Sequence, residues 1–104
     1  MMPDRHVMPM RRRAETFGIQ FCGFEYTVTV GYFETGAVGE AFITGGKSGQ
    51  AIEAIARDAA VLLSLALQFG MPLEMIRHAI TRDSQGHPSS ILGAVVDRLM
   101  EAAA

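Results

Sequence analysis

The chain has 104 residues, of which 49% are hydrophobic and 19% charged, and it carries a formal net charge of -2 and one cysteine. This length predicts a single domain with one core, and the small negative charge gives no general attraction to nucleic acid. A lone cysteine excludes an intramolecular disulfide and a cysteine-rich metal site; without a signal-peptide pattern or a run of about 20 apolar residues, we expect a cytoplasmic protein with no membrane span.

The first residues show no hydrophobic periodicity and predict a disordered lead-in over residues 1–13, followed by one domain over residues 14–104. Four arginines cluster in this lead-in: Arg5, Arg11, Arg12 and Arg13. Nucleic-acid binding through this arginine-rich N-terminus is one alternative function, because a basic cluster can contact phosphates. We prefer a solvated, mobile terminus, so nucleic acid is not an expected partner.

Apolar and polar residues alternate from Ala14 to Phe21 and again from Phe24 to Tyr32, which is the pattern of half-buried strands. Only Cys22 and Gly23 separate the two runs, and this spacing predicts a two-residue hairpin turn. The predicted partners are Phe21 with Phe24, Ile19 with Tyr26, and Phe17 with Val28. All the apolar side chains then lie on one face of the hairpin.

A second turn, with Thr35 and Gly36 at its tip, leads to a third strand at about residues 38–44. This register places Ala41 and Ile43 on the core face. It leaves three apolar residues on the outer face: Phe33, Val38 and Phe42. An apolar cluster on an outer face is typical of an interface, so we expect a homo-oligomer with these three residues in the contact.

From Gln50 the hydrophobic period becomes helical, and Gly70 ends this first predicted helix. The stripe expected to face the core consists of Ile52, Ile55, Ala59, Leu62, Ala66 and Phe69. A second helix is predicted from Pro72 to about Arg82, and a third precedes the C-terminal alanines. The predicted fold class is therefore α+β, a three-stranded antiparallel meander followed by three helices, βββααα.

A glycine-rich loop joins the third strand to the first helix and consists of Gly45, Gly46, Lys47, Ser48 and Gly49. Main-chain amides, a lysine and a helix N-terminus are groups that bind anions, so these five residues are candidate ligand-binding residues. A nucleotide-hydrolysing loop needs a glycine in place of Ala41 and a parallel sheet, which a meander lacks. The alternative is that the glycines only turn the chain from strand to helix.

Arg77 and Arg82 are the remaining ligand-binding candidates. Asp58 lies among apolar residues of the first helix, and a partly buried aspartate needs a donor. Arg77, Arg82 or a neighbouring subunit would provide one, and we prefer this structural pairing to a ligand site. The three histidines share no metal-ligand spacing, so we predict no catalytic residue and no metal ligand.

Three motifs follow one another along the chain: Cys-Gly before a strand at residues 22–23, Gly-Lys-Ser-Gly at residues 46–49, and Gly-Met-Pro after a leucine-rich helix at residues 70–72. In this order they resemble a TSCPD domain, a module at the C-terminal end of cobalamin-dependent ribonucleotide reductases, over about residues 14–100. Cys22 matches the first cysteine of that family. Gly86-His87-Pro88-Ser89-Ser90 stands where the family has Thr-Ser-Cys-Pro-Asp, so the second cysteine is missing.

The resemblance implies a stand-alone accessory or binding module, related to cobalamin-dependent ribonucleoside-diphosphate reductase and deoxyribonucleotide synthesis but not a complete catalyst. A component of a reductase assembled from separate chains is the alternative. The partners it implies are a reductase subunit or a nucleotide ligand. Cobalamin is implied only through the resemblance, and no cofactor is predicted to bind this chain itself.

Overall fold

The computed structural model describes residues 4–46 and 50–103. Its elements are β1 (Ala14–Phe21), β2 (Phe24–Tyr32), β3 (Val38–Gly45), α1 (Ala51–Gln68), α2 (Leu73–Ala79) and α3 (Ile91–Ala103). The strands form one antiparallel sheet in the order β1-β2-β3. The predicted α+β meander followed by three helices is confirmed. In the described part of the chain, no helix combines the length and apolarity that a membrane crossing requires.

The turn between β1 and β2 has the conformation that a tight hairpin requires. Cys22 has φ 51° and Gly23 has φ 82°, and two positive φ values are the mark of a type I′ turn, whose twist matches that of the strands. Phe21 pairs with Phe24, Ile19 with Tyr26 and Phe17 with Val28. The predicted register of this hairpin is confirmed.

The second hairpin contains a β-bulge that the sequence did not reveal. Gly31 pairs with Glu40, whereas Tyr32 pairs with Val38, so Gly39 is an extra residue in β3. One extra residue reverses the side-chain alternation beyond it. Val38 therefore shares the core face with Tyr32 and is partly buried, and its predicted position on the outer face is wrong.

The core lies between one face of the sheet and the helices α1 and α3. Its most deeply buried residues come from the sheet, from α1 and from α3. They include Val28, Val30, Ile43, Ala56, Ala60, Val95 and Val96. The alanines bring α1 close to the sheet because they have no bulk beyond Cβ. A second group of buried residues continues this core toward α2 through Leu63, Leu67 and Ile76.

The buried side of α1 differs from the predicted one. The buried apolar residues of α1 are Ala56, Ala60, Leu63 and Leu67, whereas Ile55 and Leu62 of the predicted stripe are each 67% exposed. The two stripes lie about 100° apart on the helix. Because the second half of α1 is apolar on nearly every side, its hydrophobic period does not distinguish the two stripes. The close fit of the alanines against β3 determines which stripe is buried.

Candidate functional site

The glycine-rich loop is described only at its start and is shaped by contacts with β2. Gly45 and Gly46 have φ 107° and 73°, and the Gly46 amide donates to the Glu25 carbonyl oxygen at 3.0 Å. A Cβ at Gly45 would stand 2.6 Å from that same oxygen. Lys47, Ser48 and Gly49 lie outside the described residues, so anion binding by this loop stays a prediction.

The structure brings Arg77 and Arg82 together on Asp97 of α3. Arg82 donates from Nη2 to Asp97 Oδ1 at 2.6 Å and from Nη1 to Oδ2 at 3.0 Å, and Arg77 Nε lies 3.7 Å from Oδ1. The hydrogen bonds from Arg82 lower the pKa of Asp97 below its ordinary value, against the opposing effect of burial. A ligand at these arginines would have to compete with a bidentate carboxylate.

Asp58 is exposed, so the expected pairing of Asp58 with Arg77 or Arg82 is wrong. The residue that fills this role is Asp97, which sequence reasoning missed. Its signal in the sequence is an acidic residue directly after Val95 and Val96 in an amphipathic helix. The Arg82–Asp97 pair links the loop between α2 and α3 to α3, because Arg82 also donates to the Gly86 carbonyl oxygen of that loop at 3.0 Å.

The three predicted interface residues do not share one surface. Phe33 is only 9% exposed, and the His6 ring stacks on it at a centroid distance of 4.2 Å. Val38 packs against the core, and Phe42 alone is strongly exposed, at 52%. An interface that uses Phe42 stays a prediction, whereas Phe33 and Val38 are already covered by other parts of the chain.

Residues 4–13, here called the strap, contain no helix or strand but contact the domain at several points. Arg5 Nε donates to Gln68 Oε1 at 2.7 Å, and the His6 amide donates to the Gln68 carbonyl oxygen at 2.7 Å. Arg12 Nε donates to Glu40 Oε2 at 2.5 Å. Disorder of residues 1–13 in solution stays a prediction. A disordered N-terminus would lack these contacts.

Glu40 and Gln68 are the buried polar residues that receive the strap, with exposures of 8% and 3%. Glu40 extends over Gly31, where any side chain would collide with it. Gln68 also donates from Nε2 to the Gly39 carbonyl oxygen at 2.9 Å. Sequence reasoning missed both residues, and a glutamine near the end of an apolar helix is the only local signal for one of them.

A groove of about 400 Å³ runs between β3 and α1. Its apolar lining includes Phe42, Val61 and Leu65, and Arg5 and Arg57 also line it. Val61, Ile55 and Leu62 of α1 are exposed by 55%, 67% and 67%. We call Phe42, Ile55, Val61 and Leu62 together the α1 surface, and two of its members, Phe42 and Val61, share the groove with Arg5 and Arg57.

A second groove, of about 450 Å³, lies between the β2–β3 turn and the ends of α1 and α3. Its lining is largely apolar and includes Tyr32, Met71, Leu73 and Met100. Both volumes lie in the lower half of the range of about 300 to 1,000 Å³ for drug-sized ligands. Both grooves are too small to enclose a cofactor as large as cobalamin.

No metal centre is evident within residues 4–46 and 50–103, where no three His, Cys, Asp or Glu side chains converge. Cys22 is an exposed free thiol in the β1–β2 turn. His87 belongs to a separate loop, in which Asp83 Oδ1 accepts the amides of Gln85 and His87 at 2.9 Å each. The amide of His87 is the main cause that lowers the pKa of Asp83.

Comparison with known proteins identifies the domain that carries these features. A family model for the TSCPD domain matches residues 3–103. The chain belongs to the TSCPD domain family. The match includes the whole strap and begins at residue 3, eleven residues before the predicted start of the domain at residue 14. No solved structure gives a significant match.

Similar proteins carry this TSCPD domain as a small part of a much longer chain. One is a vitamin B12-dependent ribonucleotide reductase of Rhodopirellula baltica, 36% identical over 102 residues, which cover 91% of this chain and 10% of that protein. Another, of Agrobacterium fabrum, is 36% identical over 78 residues, or 75% of this chain and 6% of that protein. A third, of Bradyrhizobium diazoefficiens, is 33% identical over 81 residues, with 78% and 6% covered. The chain thus spans a tenth or less of these relatives.

Proposed function

We propose that this TSCPD domain is an accessory binding module of deoxyribonucleotide synthesis that docks onto the catalytic part of a vitamin B12-dependent ribonucleotide reductase. The observation that carries the proposal is the exposed apolar area of the α1 surface. Ile55 and Leu62 are each 67% exposed, and Phe42 and Val61, which line the groove, are 52% and 55% exposed. Large apolar side chains grouped on a protein surface favour a protein partner. Among the described residues, the core packs on a different side of α1.

The kinds of relatives found favour a reductase as that partner. In the relative from Rhodopirellula baltica, the matching segment is only 10% of the protein, so the module there belongs to the same chain as the rest of a reductase. Arg5 and Arg57 line the groove beside Phe42. These guanidinium groups favour an acidic border on the partner surface.

Direct binding between the purified chain and the B12-dependent reductase of its own host tests the proposal. Biolayer interferometry should show saturable binding that Leu62→Glu weakens at least tenfold, because a carboxylate replaces a large exposed apolar side chain of the proposed contact surface. Ser84→Glu introduces the same charge at an exposed loop residue and should bind like the wild type. Absence of binding, or equal binding by Leu62→Glu, would overturn the proposal.

The same proposal predicts that the isolated chain does not reduce nucleotides with adenosylcobalamin. The chain supplies one cysteine, whereas radical reduction of a ribonucleotide calls for a radical thiol and a separate reducing pair. Turnover of a purified sample above the background of a Cys22→Ser control would contradict this. Turnover that appears only after a second polypeptide is added would favour the alternative, a component of a split reductase.

Nucleic-acid binding through the arginine cluster has less support, because three of its four members have partners within the chain. Arg5 binds Gln68, Arg12 binds Glu40, and the Arg13 guanidinium lies 4.0 Å above the Tyr32 ring. A nucleotide ligand and a cytoplasmic location remain parts of the proposal. Native mass spectrometry of protein isolated from its host would detect a retained nucleotide together with the number of subunits.

A further inference from the structure

In the part of the chain that the structure describes, main-chain groups at one edge of the sheet have hydrogen-bond partners in α1, whereas those at the other edge do not. At the β3 edge, the Ala41 amide donates to Ser64 Oγ at 2.9 Å, and the Ala41 carbonyl oxygen lies 3.0 Å from the same hydroxyl. Gln68 Nε2 donates to the Gly39 carbonyl oxygen farther along that edge. Helix α1 thus satisfies main-chain groups of β3 that would otherwise be open to another strand.

The opposite edge, formed by β1, has its own row of outward main-chain groups. The Tyr32 amide donates to the Arg13 carbonyl oxygen at 3.0 Å, so Arg13 and Tyr32 form a hydrogen-bonded pair. Because such pairs alternate along an antiparallel ladder, every odd-numbered residue of β1 bonds to β2. The outward residues are therefore Ala14, Thr16, Gly18 and Gln20.

None of these four outward amides or carbonyl groups has a main-chain or side-chain partner within the described residues. β1 also lacks the usual devices that block an edge, since it contains no proline, no lysine and no bulge. The outward residues have exposed side chains that are small or neutral. The outward main-chain groups of this eight-residue strand are thus open to pairing.

We propose that two copies of the chain pair antiparallel through β1 around a twofold axis and so join their sheets into one. In such a dimer the outward main-chain groups of one β1 bond to those of the other β1. Even-numbered residues therefore lie opposite even-numbered residues of the second copy, and odd-numbered residues lie opposite odd-numbered ones. Phe17, Ile19 and Phe21, which are only partly buried, then meet the same row of the second copy on the same face. The β1 strand of a second copy supplies an apolar row of the same length and spacing, which is why we choose a second copy as the partner.

The charges along this edge also suit a second copy. Glu15 is the only charged residue of β1, and in a pairing centred on Phe17 or Gly18 it lies opposite Ile19 or Phe21, not opposite another Glu15. Asp97, Arg98 and Glu101 of α3 line a groove beside Ile19 and Gln20. A twofold partner brings its own copies of these acidic and basic side chains to the same edge of the sheet.

Gly18→Pro tests this interface with little cost to the single copy. The outward Gly18 amide is not used by the β1–β2 ladder, and proline is accepted on an edge strand where its missing N–H faces solvent. Gly18→Ala is the matched control, because a Cβ at Gly18 would come no closer than 3.7 Å to the Tyr26 carbonyl oxygen. Analytical ultracentrifugation over a dilution series should show dimers for the wild type and Gly18→Ala, and monomers for Gly18→Pro with an unchanged circular dichroism spectrum.

Hydrogen exchange of the wild type gives an independent result if Gly18→Pro fails to fold. The Thr16 and Gly18 amides should become more than tenfold slower to exchange as concentration is raised through the dimerisation range. A monomeric wild type, a Gly18→Pro dimer, or outward amides that exchange at unprotected rates in the dimer would each overturn the proposal. A dimer that dissociates with Leu62→Glu but not with Gly18→Pro would assign self-association to the α1 surface instead. All these measurements use the chain alone, so they are independent of reductase binding.

Discussion

The hydroxyl of Ser64 on α1 bonds to both main-chain groups of Ala41 on β3. Ser64 Oγ accepts the Ala41 amide at 2.9 Å and lies 3.0 Å from the Ala41 carbonyl oxygen. It also lies 2.8 Å from the Ala60 carbonyl oxygen, so its single proton is shared between two acceptors. One side chain therefore fixes the position of the longest helix along one edge of the sheet and closes that edge.

Ser64→Ala should lower the free energy of unfolding by about 1 to 2 kcal/mol, because the Ala41 main-chain groups lose a hydrogen-bond partner in a partly buried place. Urea denaturation followed by circular dichroism measures the change. Ser84→Ala, at an exposed loop position, is the matched control and should stay within about 0.5 kcal/mol of the wild type. Equal stability of the two variants would contradict the structural role of Ser64.

Asp97→Asn should make stability less sensitive to acid. The pKa of Asp97 is lowered in the folded state, so its contribution is present above the unfolded pKa of about 3.9 and disappears as pH falls through the lower folded value. At neutral pH the substitution should cost about 1 kcal/mol, since the pair is partly exposed to solvent.

Urea midpoints between pH 2 and pH 7 check this prediction. The difference between the wild type and Asp97→Asn should shrink below pH 4. Asp58→Asn is the control, since Asp58 is exposed and its side chain has no hydrogen bond or ion pair within the described residues. A difference that stays constant across the range would show that Asp97 acts by packing and not by charge.

Gly45→Ala should be more harmful than Gly36→Ala, although both glycines have positive φ. At Gly36 a Cβ meets nothing within 4 Å, so the cost is the left-handed conformation alone, about 1 to 2 kcal/mol. At Gly45 a Cβ would also stand 2.6 Å from the Glu25 carbonyl oxygen. Thermal unfolding should show a clearly lower midpoint for Gly45→Ala, and equal midpoints would contradict the close approach of these two chain segments.

Arg12→Ala should release the strap. It removes the partner of Glu40, which is 8% exposed, and leaves a buried carboxylate unpaired. The His6 amide, which bonds to the Gln68 carbonyl oxygen, should then exchange with solvent at least tenfold faster. Arg11→Ala is the control, because Arg11 is exposed and has no hydrogen bond or ion pair within the described residues. A His6 amide already unprotected in the wild type would instead support the predicted disordered lead-in.

The sequence alone determined the order of elements and the first hairpin. Alternation with period two, a turn of two residues and the switch to a helical period all act between residues close in the chain. The pairings of Phe17 with Val28 and of Phe21 with Phe24 therefore follow from local pattern. The same local signals placed Gly45 and Gly46 at the turn from sheet to helix.

Only the tertiary structure decided which side of each element is buried and which charges meet. The second half of α1 is apolar nearly all round, so close packing of Ala56 and Ala60 against the sheet selected its buried face. The bulge at Gly39 moved Val38 to the core side. Asp97 meets Arg82, fifteen residues away in sequence, because α3 folds back beside the chain that follows α2. Such contacts depend on how the layers fit together, and no local pattern of residues encodes that fit.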